Sequence, residues 1–163
     1  MMRGIRRKEK EIISEDVIIN ILKNTRYVTI AMCTQNMPYL VTVTHGYDSK
    51  KNVLYFHCSK EGKKIDILNE NNVVWGQAIL DKGYIMGKCD QLFATAQFMG
   101  NVAFIDDISE KKHALETMIK QQETSPEEVI KKQITKDSLK KVHIGRIDIS
   151  YLSGKKAEDV IIS

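Results

Sequence analysis

The run Tyr55-Phe56-His57-Cys58-Ser59-Lys60-Glu61-Gly62-Lys63-Lys64-Ile65-Asp66-Ile67-Leu68 gathers more reactive side-chain types than any other stretch of the chain. A short apolar strand ends in His57-Cys58-Ser59, and a helix with Lys63 and Lys64 in its first turn follows. Main-chain N–H groups at a helix start lack intrahelical acceptors, and the helix dipole places partial positive charge there. Two lysines, the Ser59 hydroxyl and the Gly62 main chain add donors, so this turn suits a phosphate group. Helix starts with lysines are also common as solvated faces, and composition alone leaves that reading open. A histidine such as His57 suits proton exchange near neutrality; a half-buried histidine satisfied by backbone fits the same pattern. Cys58 beside lysines could become a reactive thiolate, although a structural cysteine is the favoured reading.

These residues must be held by elements that periodicity outlines. Asp16 to Lys23 reads as a short helix with Val17, Ile18, Ile21 and Leu22 as its apolar stripe. Arg26–Thr34, Tyr39–Tyr47 and Val53–His57 read as three strands joined by short turns, an antiparallel meander. A helix from Lys60 to about Asn69 follows. Two long strands come next, Val73–Met86 and Leu92–Asp106, with Gly76, Gly83, Gly87 and Gly100 marking bulges or coiling. Ser109–Gln122 reads as a helix capped by Ser109, and Ser125-Pro126-Glu127-Glu128 starts another. Lys141–Leu152 is the last strand, with Ile147, Ile149 and Tyr151 opposite Arg146, Asp148 and Ser150. Residues 153–163 read as a loose tail, though Val160-Ile161-Ile162 could dock. Strands interrupted by grouped helices imply one α+β domain over residues 1–163, a six-stranded antiparallel split β-barrel with flanking helices.

The 163 residues suffice for a core without disulfides. Cys33, Cys58 and Cys89 are odd in number and lack metal-ligand spacing, so they read as free thiols and no metal is assigned. The basic segment Met1–Lys10 is followed by no apolar run, which argues against a signal peptide or membrane anchor and sets a cytoplasmic expectation. A net charge of +4 is spread over scattered lysine pairs, which disfavours nucleic-acid binding and suits solubility and anion attraction. His113 and His143 read as surface residues. His45 reads as a barrel-edge residue or a neighbour of a bound ring, and Trp75 as an interface or core residue that could stack on such a ring.

Several segments carry a family likeness. Ile5-Arg6-Arg7-Lys8-Glu9-Lys10-Glu11-Ile12 looks like a basic N-terminal segment, and Met37-Pro38-Tyr39-Leu40-Val41-Thr42-Val43-Thr44-His45-Gly46-Tyr47 like a "P-Y-V-V-P-V-N-F-G-Y" strand. Tyr55 to Leu68 is close to a "Y-F-H-x-A-x-x-G-x-K" block, Phe104-Ile105-Asp106-Asp107 through Ala114-Leu115 to a barrel-to-helix joint, and Ile147 to Lys155 to a closing strand. On these segments the chain resembles the pyridoxamine 5'-phosphate oxidase-like split-barrel superfamily, and within it the nitroimidazole-resistance (Nim) flavoproteins.

The resemblance implies a homodimer with FMN in clefts between subunits and a flavin-dependent oxidoreductase acting on a small organic acceptor, such as a nitroreductase. It implies that the backbone of Thr42, Val43, Thr44 and His45 meets the isoalloxazine ring, with His57 and Cys58 beside it. Ser59, Lys63 and Lys64 would take the phosphate. His57 is the candidate for proton handling, and Gln97 could reach across a dimer. The chain departs from the family at Phe93-Ala94-Thr95-Ala96-Gln97-Phe98-Met99-Gly100, where a "Y-R-S-V-x-G-x-G" strand is usual. Ala94 stands for an arginine and Thr95 keeps a hydroxyl. A lost charge-assisted hydrogen bond to phosphate costs on the order of 1.5–3 kcal/mol. That departure keeps open a non-catalytic protein holding flavin or haem for storage or sensing.

Overall fold

The computed structural model describes residues 4–162; Met1, Met2 and Arg3 of the basic segment and Ser163 of the tail lie outside them. The elements run β1 (Glu11–Ile12), α1 (Glu15–Asn24), β2 (Tyr27–Thr34), β3 (Met37–Thr44), β4 (Gly46–Asp48) and β5 (Val53–Cys58). They continue with α2 (Lys63–Glu70), β6 (Val73–Ile85), β7 (Asp90–Ile105), α3 (Ile108–Gln122), α4 (Pro126–Gln133), α5 (Lys136–Lys141) and β8 (His143–Lys156). Six strands have six residues or more; β1 and β4 add two and three residues at the margins.

Every ladder is antiparallel, and the strand order is β3-β2-β6-β7-β8-β5-β4, with β1 on the far end of β8. The two end strands, β3 and β4, are consecutive in the chain and separated only by His45. One residue cannot bridge a flat seven-strand sheet, so the sheet curls until its ends meet at His45. No ladder joins β3 to β4, and the barrel stays split. The single strand expected over Tyr39–Tyr47 is therefore two strands that turn a corner at His45.

Alternation then sorts each strand into an inward and an outward face. The interior is filled by Val28, Ile30, Leu54, Phe56, Val74, Ala78, Phe98 and Ile147, with Ile18, Ile21 and Leu22 of α1 and Ile67 and Leu68 of α2 closing it. Phe98 lies flat where Gly76 leaves room: a Cβ at Gly76 would sit 2.1 Å from the ring. Gly76 thus serves packing, whereas Gly83 and Gly100 mark the register shifts expected of them. The second shift pairs Met99 with Tyr151 and Gly100 with Ile149, which leaves Ser150 bulged. That bulge turns Tyr151 outward, away from the face it would share with Ile147 in an unbroken strand.

A smaller apolar cluster lies outside the barrel. Val53, Tyr55, Ile105 and Ile144 pack beneath Ala114 and Met118 of α3. The cap of α3 is Asp107, whose side chain accepts from the Glu110 amide at 2.8 Å, rather than Ser109. Thr135 and Ser138 form a capping box that starts α5, an element the sequence pattern did not suggest. The tail expected to be loose is partly fixed. Ser153 to Lys156 complete β8, Ala157 and Val160 are buried, and the Lys156 ammonium donates to the Val160 carbonyl at 2.9 Å.

Candidate functional site

The Tyr55–Leu68 block folds as expected: β5 ends at Cys58 and α2 begins at Lys63. Gly62 is the residue before the helix, with φ at +124°, a conformation that favours glycine. No side chain caps α2, and a Cβ at Gly62 would meet nothing within 4 Å. The first amides of the helix therefore face open space. Ser59 accepts weakly from the Glu61 amide at 3.4 Å. The ammonium of Lys63 lies 4.7 Å from the ring centre of Tyr39 on β3, and that of Lys64 lies 5.4 Å from Phe56. Lys63 thereby ties the start of α2 to the edge strand β3.

Along β3, Tyr39, Val41 and Val43 turn toward the barrel, while Leu40 and Thr42 turn out. Thr42 lies about 10 Å along the strand from Tyr39, and Thr44 about 17 Å. Their outward face continues across the sheet. Thr42 pairs with Thr29, Thr29 with Gln77, Gln77 with Gln97, and Gln97 with Ser153. Two of these steps carry hydrogen bonds, Thr29–Thr42 at 3.0 Å and Gln97 donating to Gln77 at 3.4 Å. The adjacent row is apolar: Leu40, Ala31, Trp75, Met99 and Tyr151. Trp75 and Tyr151 pack at 5.6 Å. A concavity of about 480 Å³ opens on this face, lined by Tyr27, Thr29, Leu40, Trp75, Gln77 and Gln97 among others. Sequence reading placed Trp75 and Gln97 near an interface but missed Tyr27, Thr29, Leu40 and Gln77. Their signal was the outward register of β2, β3 and β6.

The remaining expected residues fall in different places. Val43 is buried and His45 fully so, so neither offers its side chain to a ligand, and the His45 carbonyl already accepts from Gln122 at 3.1 Å. The His45 ring sits at the barrel corner with Nε2 2.9 Å from the Leu22 carbonyl, while Nδ1 has no partner. Burial holds its pKa below the ordinary value. Gly46 is covered by α3: a Cβ there would lie 2.6 Å from the Met118 nitrogen. His57 is exposed and lies opposite Ile144, on the α3 side of β5. Cys58 is half-buried, and burial raises its thiol pKa against the opposing pull of Lys64. This supports the structural reading of Cys58 over a reactive one. Thr95 faces outward and donates to the Lys155 carbonyl at 3.3 Å.

Ala94 is fully buried in the barrel. An arginine in this register would point into the core, so alanine at 94 is a packing residue rather than a deleted ligand. His113 and His143 are both engaged rather than free at the surface. His113 Nε2 lies 2.7 Å from Asp48, and His143 stacks on Phe104 at 4.6 Å. Among the described residues no group of three or more His, Cys, Asp or Glu is placed to hold a metal, and no helix is long and apolar enough to cross a membrane.

The curled antiparallel sheet, plugged by two helices and bare on one outer face, defines a split-barrel protein. The family model for pyridoxamine 5'-phosphate oxidase matches residues 14–156, and the chain belongs to that family. Similar folds include a candidate 5-nitroimidazole antibiotic resistance protein from Bacteroides thetaiotaomicron VPI-5482, with 24% identity, a TM-score of 0.76, and coverage of 89% of this chain and 85% of that one. A flavocytochrome from Azotobacter vinelandii gives a TM-score of 0.78 at 14% identity, covering 95% of this chain and 72% of that one. An FAD and heme binding protein from Mycobacterium smegmatis gives 0.74 at 15% identity, covering 91% and 74%. No curated protein sequence matches the chain.

Proposed function

We propose that this chain is an FMN-binding flavoprotein that works as a homodimer, acting as an oxidoreductase on a small organic acceptor. The observation that carries the reading is Lys63 held over Tyr39, which joins an uncapped helix start to the strand bearing Thr42 and Thr44. Family membership and similar folds that bind flavins support it.

The residues fit the cofactor. Open amides at Lys63 and Lys64 and their two ammoniums are donors only, and with the Ser59 hydroxyl they form a donor-rich set suited to a phosphate. The outward main chain and hydroxyls of Thr42 and Thr44 would orient the ring, and Thr29 supports Thr42. Bound there, the flavin would accept two electrons from a reduced donor and pass them to an acceptor. A second copy laid on the bare face would exclude water from the ring. His57 is the candidate for holding or releasing a proton at its imidazole nitrogens. The assignment of FMN rather than FAD rests on the sequence resemblance.

The test is the visible spectrum of freshly purified protein, followed by heating and identification of the released chromophore. A two-banded flavin spectrum with FMN in the supernatant is expected, and Lys63→Gln with Lys64→Gln should release it. A haem band would replace the chemistry. A colourless protein that fails to take up FMN would end the reading. If His57→Ala keeps both flavin content and turnover with a nitroaromatic acceptor, His57 has no proton role.

A further inference from the structure

A cavity of about 590 Å³ lies between the end of α1, the β4–β5 turn and α3. It shares no lining residue with the concavity over β2, β3 and β6, and none with the start of α2. Its floor is closed: Tyr47 is 5% exposed and the Asp48 side chain 9%. The Tyr47 amide donates to the Gln121 side chain at 2.9 Å, and the Tyr47 hydroxyl to Asn52 at 2.8 Å. Gln121 also donates to the Leu22 and Thr25 carbonyls, both at 3.0 Å, which joins the ends of α1 and α3. Lys23 and Lys120, neighbours of Leu22 and Gln121 in the chain, are thereby brought to one rim.

The charges around this cavity do not balance. Lys23 and Lys120 line it from the last turns of α1 and α3, and Lys50 and Lys51 from the β4–β5 turn. All four lysines are exposed, and none forms an ion pair with a described residue. The two carboxylates of the lining are already engaged. Asp48 lies 2.7 Å from His113 Nε2 and accepts from the Lys50 and Lys51 amides at 3.0 and 3.3 Å. Those amide bonds fold the turn back on Asp48 and set both lysines on the rim. Glu116 faces Lys112, outside the lining, at 3.8 Å. One exposed lysine is ordinary. Four that converge on one cavity from three elements, with its carboxylates occupied, focus a positive potential there.

We propose that this cavity binds a diphosphate, free or carried by a small organic molecule, between Lys50 and Lys51 of the turn and Lys23 and Lys120 of the helix ends. A single phosphate does not fill 590 Å³, a size usual for small organic ligands. Ammoniums on flexible stems suit a ligand whose charge is spread over two phosphates. The site needs no flavin and stands or falls apart from the flavin reading.

His113 supplies the readout, since its ring lines the cavity and is fixed by Asp48 and by edge-on packing against Tyr55 at 5.9 Å. The experiment follows its imidazole resonances in the full chain while inorganic diphosphate, and separately ADP, is added at constant ionic strength. Each titration is run with and without saturating FMN. Saturable shifts are expected in both conditions, and the tighter ligand shows whether the organic part contributes. Lys50→Gln, Lys51→Gln and Lys120→Gln combined should weaken binding by about tenfold or more, and the three arginine substitutions should keep most of it. These side chains are exposed, so urea unfolding of the triple variant should match the wild type. Lys63→Gln with Lys64→Gln should leave diphosphate affinity unchanged. No saturable shift at millimolar diphosphate or ADP would overturn the proposal, as would equal affinity in the wild type and the triple glutamine variant. Displacement by FMN would also overturn it, because the ligand would then sit at the start of α2. A chain that takes no FMN yet binds diphosphate through these lysines would uphold this site and end the flavin reading.

Discussion

Two outer faces of the same curled sheet differ in what covers them. Over β5, β8 and the end of β7, α3 lies on Val53, Tyr55, Ile105 and Ile144. Charges there are paired as they are covered: Arg146 bonds Glu110 at 2.8 Å and Asp148 at 3.0 Å, Tyr55 donates to Glu110 at 3.2 Å, and His113 meets Asp48. Over β2, β3 and β6 no helix among the described residues lines the outer face. Tyr27, Leu40 and Ile79 are each more than half exposed, and Trp75 is 39% exposed. The polar row between the apolar positions holds neutral hydroxyls and amides. A face meant for water is usually charged, and an apolar face of this breadth marks an interaction site. The covered half shows what the bare half lacks: a second layer. A second copy with its flavin supplies that layer in the proposed function.

The largest effect should come from lifting the existing cover. Gly46→Val would drive a side chain into the α3 backbone, where the first added carbon already lies 2.6 Å from the Met118 nitrogen. Helix backbone cannot yield as a side chain can, so a loss of about 3 kcal/mol or more is expected in urea unfolding. A loss below about 1 kcal/mol would mean that α3 is not fixed on β4, and the contrast between the faces would collapse.

The bare face should respond in association rather than folding. Trp75→Arg should leave folding stability within about 1 kcal/mol while weakening a dimer by about 100-fold, roughly 2.7 kcal/mol. Sedimentation at several concentrations reads this directly. Wild type that sediments as a monomer at micromolar concentration would leave the face without its second copy, and the flavin site would have to be built within one chain.

A smaller effect belongs to the charges under α3. Arg146→Met strands Glu110 and Asp148, whose side chains are 22% and 48% exposed. Solvent screens part of the loss, so about 2 kcal/mol is expected at neutral pH. Burial raises the Glu110 pKa, but the hydrogen bond and charge of Arg146 outweigh it and leave the carboxyl below its ordinary value. Stability from a depressed carboxylate is present above its unfolded pKa and lost as pH falls through the folded one. The gap between wild type and Arg146→Met should therefore shrink below about pH 4. An unchanging gap would detach Glu110 from Arg146.

Strand alternation and the Tyr55–Leu68 block made most of the barrel legible before any coordinates. Alternation says which residues share a face, but not what lies on it. Gly46 and Thr42 read alike in sequence, yet one is under α3 and the other in the open. The break at His45 was hidden because Val43, Thr44 and Tyr47 on either side of it are strand formers, and only the strand order forces the corner. Tyr151 was placed on the wrong face because a bulge at Ser150 leaves no local signature. The α2 start was visible because a strand end, a glycine and two lysines are all local. The counterpart on β2 and β6 needed long-range register.

The smallest effect concerns the corner that makes both faces possible. His45 is fully buried, with one ring nitrogen satisfied by Leu22 and the other without a partner. Gln121 of α3 donates to the same Leu22 carbonyl and to that of Thr25, so the imidazole joins α1, α3 and the β3–β4 turn. Burial disfavours its cation and lowers its folded pKa. A depressed histidine is neutral in both states above about pH 6.5, so it adds no pH dependence there. Below that, the unfolded chain takes up the proton first, and stability falls until the folded pKa is reached. Burial, and after it the charges of Lys111 and Lys60, also depress His143, which adds to the same slope. Wild type should therefore lose stability as pH falls below about 6.5, and His45 accounts for part of that loss. His45→Gln should flatten that part of the curve, and His45→Gln with His143→Gln should flatten it further. A wild-type curve that is already level over this range would show that protonated His45 is accommodated at the corner, and the corner would then be less rigid than the barrel it closes.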